Sequence, residues 1–383
     1  MLFEKFSTPY EGDFLGLAEI ISGKLFARAC ERARGLGAEL PATAGASSAP
    51  SPTPLGHWSP ELGVVRLVMD HHANPPPEWL GCQLQIAAFL NRDQPAISFE
   101  AQLPHPLTVA GHEVPAGRVS VEGRDGWLRV QGSTSSAALE LRQFDDCGLS
   151  PLWVDAAAQA TVRLGSGARA IPATHDWLAY WASDAPRGVL VADAAAHAGQ
   201  VEAAMDLMET LLPDYYVWTA AMLKQSVGVE REGSAASTNS ASFMYRPAHV
   251  HSSAPATVAQ TVAMLVHECS HQYFHMSQWM VPPTTSDAPE VYSVLKNRSR
   301  PLERVLLGFH AFGNCTLALA RLRDSVPVVD ADPFESELRN ARRLTSNLLE
   351  QLAPHVEKSL EPSGQEFFQP LLRRLQSDGA VTA

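Results

Sequence analysis

The chain has little positive charge, and this narrows the kinds of partner that it can have. Its 383 residues carry 29 Lys and Arg against 41 Asp and Glu, which gives a formal net charge of −12. Nucleic-acid-binding proteins usually present a basic face, so we expect no nucleic-acid partner. An apolar content of 45% and a charged content of 18% are typical of an ordinary globular protein.

Long apolar runs and a secretory signal are also missing. Residues 1–35 have no basic start followed by an uninterrupted apolar stretch, because charged residues between positions 11 and 24 interrupt it. The longest uncharged run contains two prolines and several polar residues, so it is a poor candidate for a membrane span. We therefore predict no membrane partner and a cytoplasmic location.

Cysteine pairs with metal-binding or disulfide spacing are absent. The five cysteines, Cys30, Cys82, Cys147, Cys269 and Cys315, are odd in number and widely separated, with no C-x-x-C pattern. A zinc ribbon or a disulfide framework is therefore improbable on spacing alone. We expect reduced thiols.

The composition and the spacing of apolar residues change along the chain, and together with its length they predict an α+β fold of two or three domains. Residues 1–37 have helical apolar spacing, and 38–57 form a linker rich in Pro, Ala and Ser. Residues 58–185 are predicted to be strand-rich, with "GVVRLVMD" and "CQLQIAAFL" among the strands and "HDWLAYWAS" a short closing helix. Residues 186–383 are predicted to be a mainly helical domain with a small sheet at its edge.

Within this last region one helix stands out. "VGVEREGSAASTNSASFMYRPAHVHSS" predicts one or two strands with a Ser-rich turn, and a helix from about Thr257 to Trp279 follows. Thr257 and Gln260 have the spacing of a capping box at its start. Further helices are predicted from Pro301 to about Arg323 and from Asp332 onward.

The predicted helix at 257–279 contains the metal-binding pattern "HECSH". Positions four apart lie on one face of a helix, so His267 and His271 can direct imidazole nitrogens at one cation. Glu268 would lie beside the open coordination position, where it can take or give a proton. The apolar residues just before the pair predict a helix packed in the core. We therefore predict a divalent metal site on a zincin-like helix.

Two histidines need a third protein ligand, and the sequence offers several. The metzincin pattern requires Gly and His where this chain has Phe274 and Ser277, so that class is excluded. A carboxylate from Glu290 or Glu303 would give a gluzincin-like site. His310, in "LLGFHAFGN", is the third option and the one we favour, because an imidazole inside an apolar helix needs a partner.

A third histidine on the same helix stripe is excluded by distance. His275 lies eight residues after His267, which is ~12 Å along a helix that rises 1.5 Å per residue. We expect this side chain to lie behind the site or on the surface.

Two longer segments resemble a known family. "VAMLVHECSHQYFHM" and "VYSVLKNRSRPLERVLLGFHAF" resemble the HExxH-motif domain of bacterial peptide-modification proteins, which are encoded near ribosomally synthesised, post-translationally modified peptides. Some members of that family are 2-oxoglutarate-dependent peptide β-hydroxylases. The resemblance extends from about Val201 to Leu375, and the amino-terminal half adds nothing to it.

The resemblance implies a use of the metal other than proteolysis. It implies Fe(II) held by the HExxH histidines, 2-oxoglutarate as cosubstrate, and hydroxylation of a side-chain β-carbon in a precursor peptide. A guanidinium suits the far carboxylate of the cosubstrate because it pairs bidentately. Arg300 is the first choice for this anchor and Arg298 the second. Tyr292 would hydrogen-bond the cosubstrate, with Ser293 beside it.

Two other functions remain open at this level. A zinc metallopeptidase would use Glu268 as general base on a metal-bound water, and a non-catalytic scaffold would only bind peptide. Iron oxygenases usually combine two histidines with one carboxylate, so His310 as third ligand would make an unusual all-imidazole site. Peptide substrate could pair with an edge strand, either in the strand-rich region or at Ser240–Tyr245. The oligomeric state is not predicted.

Overall fold

The computed structural model of the protein describes residues 2–40, 56–133, 138–144, 152–155, 161–164, 169–172, 191–230, 239–293, 297–325 and 332–381. The helices in these ranges are α1 (Phe14–Gly35), α2 (Pro60–His71), α3 (Pro77–Leu90), α4 (Ala194–Leu211), α5 (Pro213–Met222), α6 (Val258–Gln278), α7 (Leu302–Ser325), α8 (Asp332–Leu352), α9 (Val356–Ser359) and α10 (Pro362–Ser377), with 3-10 turns at Phe3–Phe6 and Ala353–His355. The strands are β1 (Ala96–Leu103), β2 (Leu107–Val109), β3 (His112–Val114), β4 (Gly117–Arg124), β5 (Trp127–Gly132), β6 (Leu139–Phe144), β7 (Leu152–Asp155), β8 (Thr161–Leu164), β9 (Arg169–Pro172), β10 (Gln225–Glu230), β11 (Ser240–Ala241), β12 (His249–Ala254), β13 (Glu290–Ser293) and β14 (Arg298–Pro301). Mixed helix and strand content confirms the general fold class that the sequence predicts.

The amino-terminal helical segment forms as predicted. After the turn at Phe3–Phe6, α1 begins where the Asp13 carboxylate accepts a hydrogen bond from the Gly16 N–H at 2.8 Å. Such a cap satisfies one of the amide donors that a helix start leaves without a partner. The predicted linker at 38–57 lies largely outside the described residues, as does the predicted short helix at 175–183.

Two segments predicted as strands are helices. "GVVRLVMD" lies in α2 and "CQLQIAAFL" lies in α3. Short apolar runs do not distinguish a buried strand from a buried helix. The informative signals were Pro60 and Pro77, each at the first helical position, where a missing N–H costs nothing.

From Ala96 the strand prediction is confirmed for the described residues. An antiparallel sheet has the order β1-β4-β5-β6-β7, and buried and exposed residues alternate along β4. The buried face packs on α3, where Phe89 lies against Ile97 and Gly123. Trp153 of β7 donates a hydrogen bond from its indole to the Leu90 carbonyl at 2.8 Å. The sheet and the preceding helices therefore share one hydrophobic core.

The helical half is built around α6, which packs against α4, α5 and α7. Beside it lies a small sheet of order β10-β12-β11, with β12 parallel to β10 and antiparallel to β11. The predicted strands and the motif helix are confirmed. α7 starts at Leu302 instead of Pro301, because Pro301 is still paired with Glu290 in the β13-β14 hairpin.

The segment before α1 is anchored to the carboxyl-terminal helices. The Phe3 N–H donates to the Glu366 carboxylate at 2.5 Å, and the Ser7 hydroxyl donates to the Phe367 carbonyl at 2.9 Å. Phe6 is fully buried and its ring lies 5.2 Å from that of Tyr273 in α6. Residues more than 300 positions apart in the chain thus pack together around the motif helix.

Helix α7 has the length and apolar composition of a membrane span, with a mean hydropathy of 1.3 over its most apolar window. Of that window, 78% is buried inside the protein. Burial by α6, α8 and α10 explains its composition, since a helix surrounded on most sides by others is apolar on most sides.

Candidate functional site

The HExxH histidines face one cavity. Helix α6 begins with the predicted capping box, in which Thr257 and Gln260 exchange hydrogen bonds at 3.1 and 3.2 Å. One turn separates His267 from His271, and their ring centroids lie 4.5 Å apart at an interplanar angle of 77°. Both rings line a cavity of about 850 Å³. The structure therefore brings the two predicted ligands together, next to open space.

His271 is held as a neutral imidazole. Burial, followed by the nearby His267 and His275, lowers its pKa well below the ordinary value. Its Nδ1 is buried and has no hydrogen-bond partner in the part of the chain that the structure describes. Neutral imidazole is the form that binds a metal ion, so this ring suits the predicted ligand role.

Glu268 lies in the same cavity wall and is oriented by a strand. Its side chain is 3% exposed, and its Oε1 accepts a hydrogen bond from the Ser240 hydroxyl at 2.6 Å. The same oxygen lies 4.0 Å from the His267 Nε2. Ser240 belongs to β11, at one edge of the small sheet. The strand thus fixes a carboxylate beside the two imidazoles.

Three arginines line the cavity from the other side. Arg298 and Arg300 are two apart on β14, so they share a face of the hairpin. Arg304 follows in the first turn of α7. Burial, then Arg304 and Arg298, lowers the pKa of Arg300. The three guanidinium groups are therefore close enough to repel one another.

These arginines have few internal counter-ions. Within the described residues, the guanidinium groups of Arg298 and Arg300 have neither a hydrogen bond nor an ion pair, although both backbones are paired in the β13-β14 hairpin. Arg304 has a contact of 3.7 Å with Glu303, its own neighbour, and both side chains are about a third exposed. Pairs with this exposure contribute little. A chain with a net charge of −12 thus concentrates weakly compensated positive charge here.

A fourth arginine of the cavity wall is differently placed. Arg246 is 2% exposed and its guanidinium stacks 4.7 Å above the Phe243 ring. One of its nitrogens lies 3.5 Å from the His251 Nε2. His251 in turn lies 2.9 Å from His249 on the buried face of β12. Unlike the other three arginines, Arg246 is buried and packed against protein side chains, so it contributes to the structure of the cavity wall.

His310 does not line the cavity. Its Nε2 donates to the carbonyls of Phe6 at 2.8 Å and Ser7 at 3.1 Å, so the proton is on that nitrogen. Burial lowers the pKa of His310 to about 4, which keeps the ring neutral. The imidazole lies among Phe274, Phe367 and the amino-terminal turn. Two backbone carbonyls therefore hold the Nε2 of this ring, while its buried Nδ1 has no hydrogen-bond partner among the described residues.

The two carboxylates considered as alternatives also lie elsewhere. Glu290 is exposed on β13, and Glu303 lines a smaller neighbouring cavity. Tyr292 is 54% exposed and donates its hydroxyl hydrogen bond to Asn297. The Ser293 hydroxyl is buried, with no partner among the described residues. Neither Tyr292 nor Ser293 lines the HExxH cavity.

His275 is closer to the cavity than the sequence suggested. It is 2% exposed, lines the cavity, and its Nδ1 lies 3.0 Å from the Gln278 Oε1. Burial lowers its pKa to about 4. Of the two positions expected for His275, behind the site or on the surface, the surface position is wrong, because the buried stripe of α6 continues past the motif.

Sequence reasoning missed Arg304 and Glu337 as cavity residues, and it named Ser240 only as part of a strand that could pair with the peptide. Glu337, on α8, is half-buried and lines the cavity with Glu268. No hydrogen bond or ion pair holds its carboxylate among the described residues. Both glutamates raise the pKa of the buried Cys315 thiol, although burial is the larger cause. No local pattern marks Glu337, since it is one of several charged residues on an amphipathic helix.

His267 and His271 need a third protein ligand to hold a metal ion. In the described ranges no three His, Cys, Asp or Glu side chains stand close enough together to hold one. The two imidazoles are neutral-ligand candidates one helical turn apart, and a third ligand would have to move into place. Glu337 of α8 is a half-buried carboxylate that lines the same cavity.

Comparisons with known proteins return no matching family model, and no curated protein matches the chain.

Proposed function

We propose that the protein is an Fe(II)- and 2-oxoglutarate-dependent hydroxylase that oxidises a side-chain β-carbon of a ribosomally synthesised precursor peptide. The observation that carries the iron and 2-oxoglutarate part of this proposal is the meeting of the His267 and His271 imidazoles with three weakly compensated arginines in one cavity. The precursor peptide and its β-carbon are what the resemblance of the HExxH segments implies. A peptidase uses a general base and a metal-bound water, and neither of these requires the arginines. A dicarboxylate cosubstrate requires a cationic group to bind its far carboxylate.

His267 and His271 would hold the cation, and we propose Glu337 as the third ligand in place of His310, Glu303 or Glu290. Two histidines and one carboxylate are the usual ligands of non-haem iron in oxygenases. Glu268 is already bound by Ser240, whereas the Glu337 carboxylate has no such bond in the described structure. The motif helix with an edge strand beside it also supports the zincin-like arrangement.

Bound iron, together with 2-oxoglutarate and O₂, would supply the oxidising power. The chain supplies position and charge. Arg300 is more buried than Arg298, the other arginine of the hairpin. It would pair bidentately with the far carboxylate of the cosubstrate. Leu307, Phe312 and Leu344 give the cavity apolar walls that limit access of water. Ser240 keeps Glu268 oriented toward the metal side.

The peptide would enter along β11. This strand pairs only with β12 in the described structure, which leaves its other edge open beside the cavity. An extended peptide adds to such an edge through main-chain hydrogen bonds. The β-carbon to be oxidised would then point toward α6.

The proposal is tested by metal content after anaerobic purification, followed by 2-oxoglutarate titration of the iron-loaded protein by calorimetry. We expect iron to bind in stoichiometric amount and 2-oxoglutarate to bind only when iron is present. Arg300→Gln should weaken 2-oxoglutarate binding by about 10- to 100-fold, because it removes a charge-assisted pair. Glu337→Gln should lower iron affinity by at least about tenfold.

Matched controls lie outside the cavity. Arg339→Gln and Glu350→Gln change exposed side chains of α8 and should leave both affinities unchanged. Stoichiometric zinc with no 2-oxoglutarate binding would contradict the proposal, as would equal iron affinity in Glu337→Gln and Glu350→Gln.

A zinc metallopeptidase is the second candidate. It is favoured by the position of Glu268, a buried carboxylate that a hydroxyl orients beside both histidines, as a general base requires. The two functions leave different products on a co-expressed precursor peptide. Hydroxylation adds the mass of one oxygen atom, and proteolysis cleaves the chain.

A further inference from the structure

The arginine cluster holds more positive charge than one cosubstrate needs. A dicarboxylate such as 2-oxoglutarate would place one carboxylate at the metal and one at Arg300. Arg298 and Arg304 line the same cavity and would remain. Arg298 is exposed, the Arg304 side chain is 36% exposed, and the 3.7 Å contact of Arg304 with Glu303 contributes little. Both guanidinium groups are therefore available to a second anion at the cavity.

Arg304 marks where that anion would bind. It lines both the HExxH cavity and an adjoining cavity of about 330 Å³. Met244 and Tyr245 are shared in the same way, so the two cavities meet at these three residues. The adjoining cavity has an apolar wall formed by residues 279–283, and its charged lining residues besides Arg304 are Glu303 and the ion pair of Arg66 with Asp70. Its apolar wall suits the neighbouring residue of an extended chain.

We propose that Arg304, with Arg298 beside it, binds a carboxylate of the peptide substrate, so that the protein selects a segment that carries an acidic group next to the oxidised position. This inference rests on the proposed peptide substrate. The carboxylate has two sources in a peptide, an Asp or Glu side chain and a free carboxyl terminus. Both would form the same charge-assisted pair with a guanidinium.

The test is retention of synthetic peptides by the full-length protein, without turnover. Three acetylated hexapeptide pools vary over neutral residues and differ at one feature. The first has a fixed Asp and an amidated carboxyl terminus, the second has Asn in that position, and the third has Asn and a free carboxyl terminus. Retained peptide is measured by mass spectrometry after ultrafiltration.

We expect one of the two acidic pools to be retained about tenfold more than the neutral pool, which is the effect of one charge-assisted hydrogen bond. The acidic pool that is retained identifies the source of the carboxylate. Arg304→Gln should abolish the preference, and Arg304→Lys should keep part of it. Arg339→Gln, on the exposed face of α8, should keep all of it.

Equal retention of all three pools by the wild-type protein would overturn the inference, as would a preference that survives Arg304→Gln. Thermal unfolding of each variant shows whether it is folded. Binding of 2-oxoglutarate is measured separately, so a protein that binds the cosubstrate but shows no acidic preference refutes this inference alone.

Discussion

Several buried histidines have a pKa far below the ordinary value, and this makes the stability of the protein depend on pH. Burial lowers the pKa of His57, His197, His275 and His310 to about 4 in each case. These rings stay neutral in the folded state, while in the unfolded chain they take up a proton below the ordinary pKa of 6.5. The unfolded state therefore binds more protons between these values, and stability falls as the pH falls from 6.5 to about 4.

His197 gives the clearest test because it lies away from the cavity. It is fully buried on α4, and its Nε2 lies 3.0 Å from the Ser226 hydroxyl. His197→Gln should reduce the pH dependence of the unfolding free energy by up to about 1.4 kcal/mol per pH unit between pH 6.5 and 4. Urea denaturation at several pH values measures this slope. Gly199→Ala, on the same helix, changes no titratable group and should leave the slope unchanged, and a similar change in both variants would contradict the argument.

Residue types explain which parts of the site could be predicted. His267, Glu268 and His271 follow from spacing on one helix, and the structure places all three on one wall. Arg298 and Arg300 alternate on a strand and also reach the cavity. His310 as third ligand stays a prediction. Its Nε2 is held by the carbonyls of Phe6 and Ser7, from a segment about 300 residues away that no local pattern announces, while its buried Nδ1 has no hydrogen-bond partner among the described residues.

Elements were predictable where their ends carry a chemical signal. Thr257 and Gln260 fixed the start of α6, and the capping box is present. Helices α2 and α3 were missed because β-branched and apolar residues fill both of them, and this composition is shared with buried strands. The proline at the start of each helix was the better guide.

Helix α2 packs so closely on the segment 245–247, which follows β11, that only glycine fits at position 63. A Cβ on Gly63 would lie 2.5 Å from the Tyr245 carbonyl oxygen and would also meet the Pro247 ring. We expect Gly63→Ala to destabilise the protein by about 1–3 kcal/mol through overpacking. Chemical denaturation measures the loss.

Gly199, inside α4, is the matched control because a Cβ there meets nothing within 4 Å. Gly199→Ala should stabilise the protein by up to about 1 kcal/mol, which is the difference in helix propensity. Equal effects of the two substitutions would show that packing against the segment at Tyr245 is unimportant.

At the scale of the whole molecule, one hydrophobic cluster includes side chains from residues near both ends of the described chain. Phe6 is fully buried and contacts the motif helix through Tyr273. Phe6→Ala should lower the unfolding free energy by about 3–5 kcal/mol. Thermal and urea unfolding measure the change.

Leu2, which is 54% exposed, provides the control. Leu2→Ala should change stability by less than about 0.5 kcal/mol. If Phe6→Ala were equally mild, the amino-terminal segment would be an appendage of the metal-binding region and not part of its core.

The attachment of this segment has a consequence for biosynthesis. Phe3 and Ser7 are translated more than 350 residues before Glu366 and Phe367, to which they bond. During elongation the segment 3–7, including the buried rings of Phe3 and Phe6, is synthesised long before the surfaces that will enclose it. Such long-range closure slows folding, so we expect the HExxH helix to be sealed only late in synthesis, and chaperones that shield apolar segments to raise the yield of active protein.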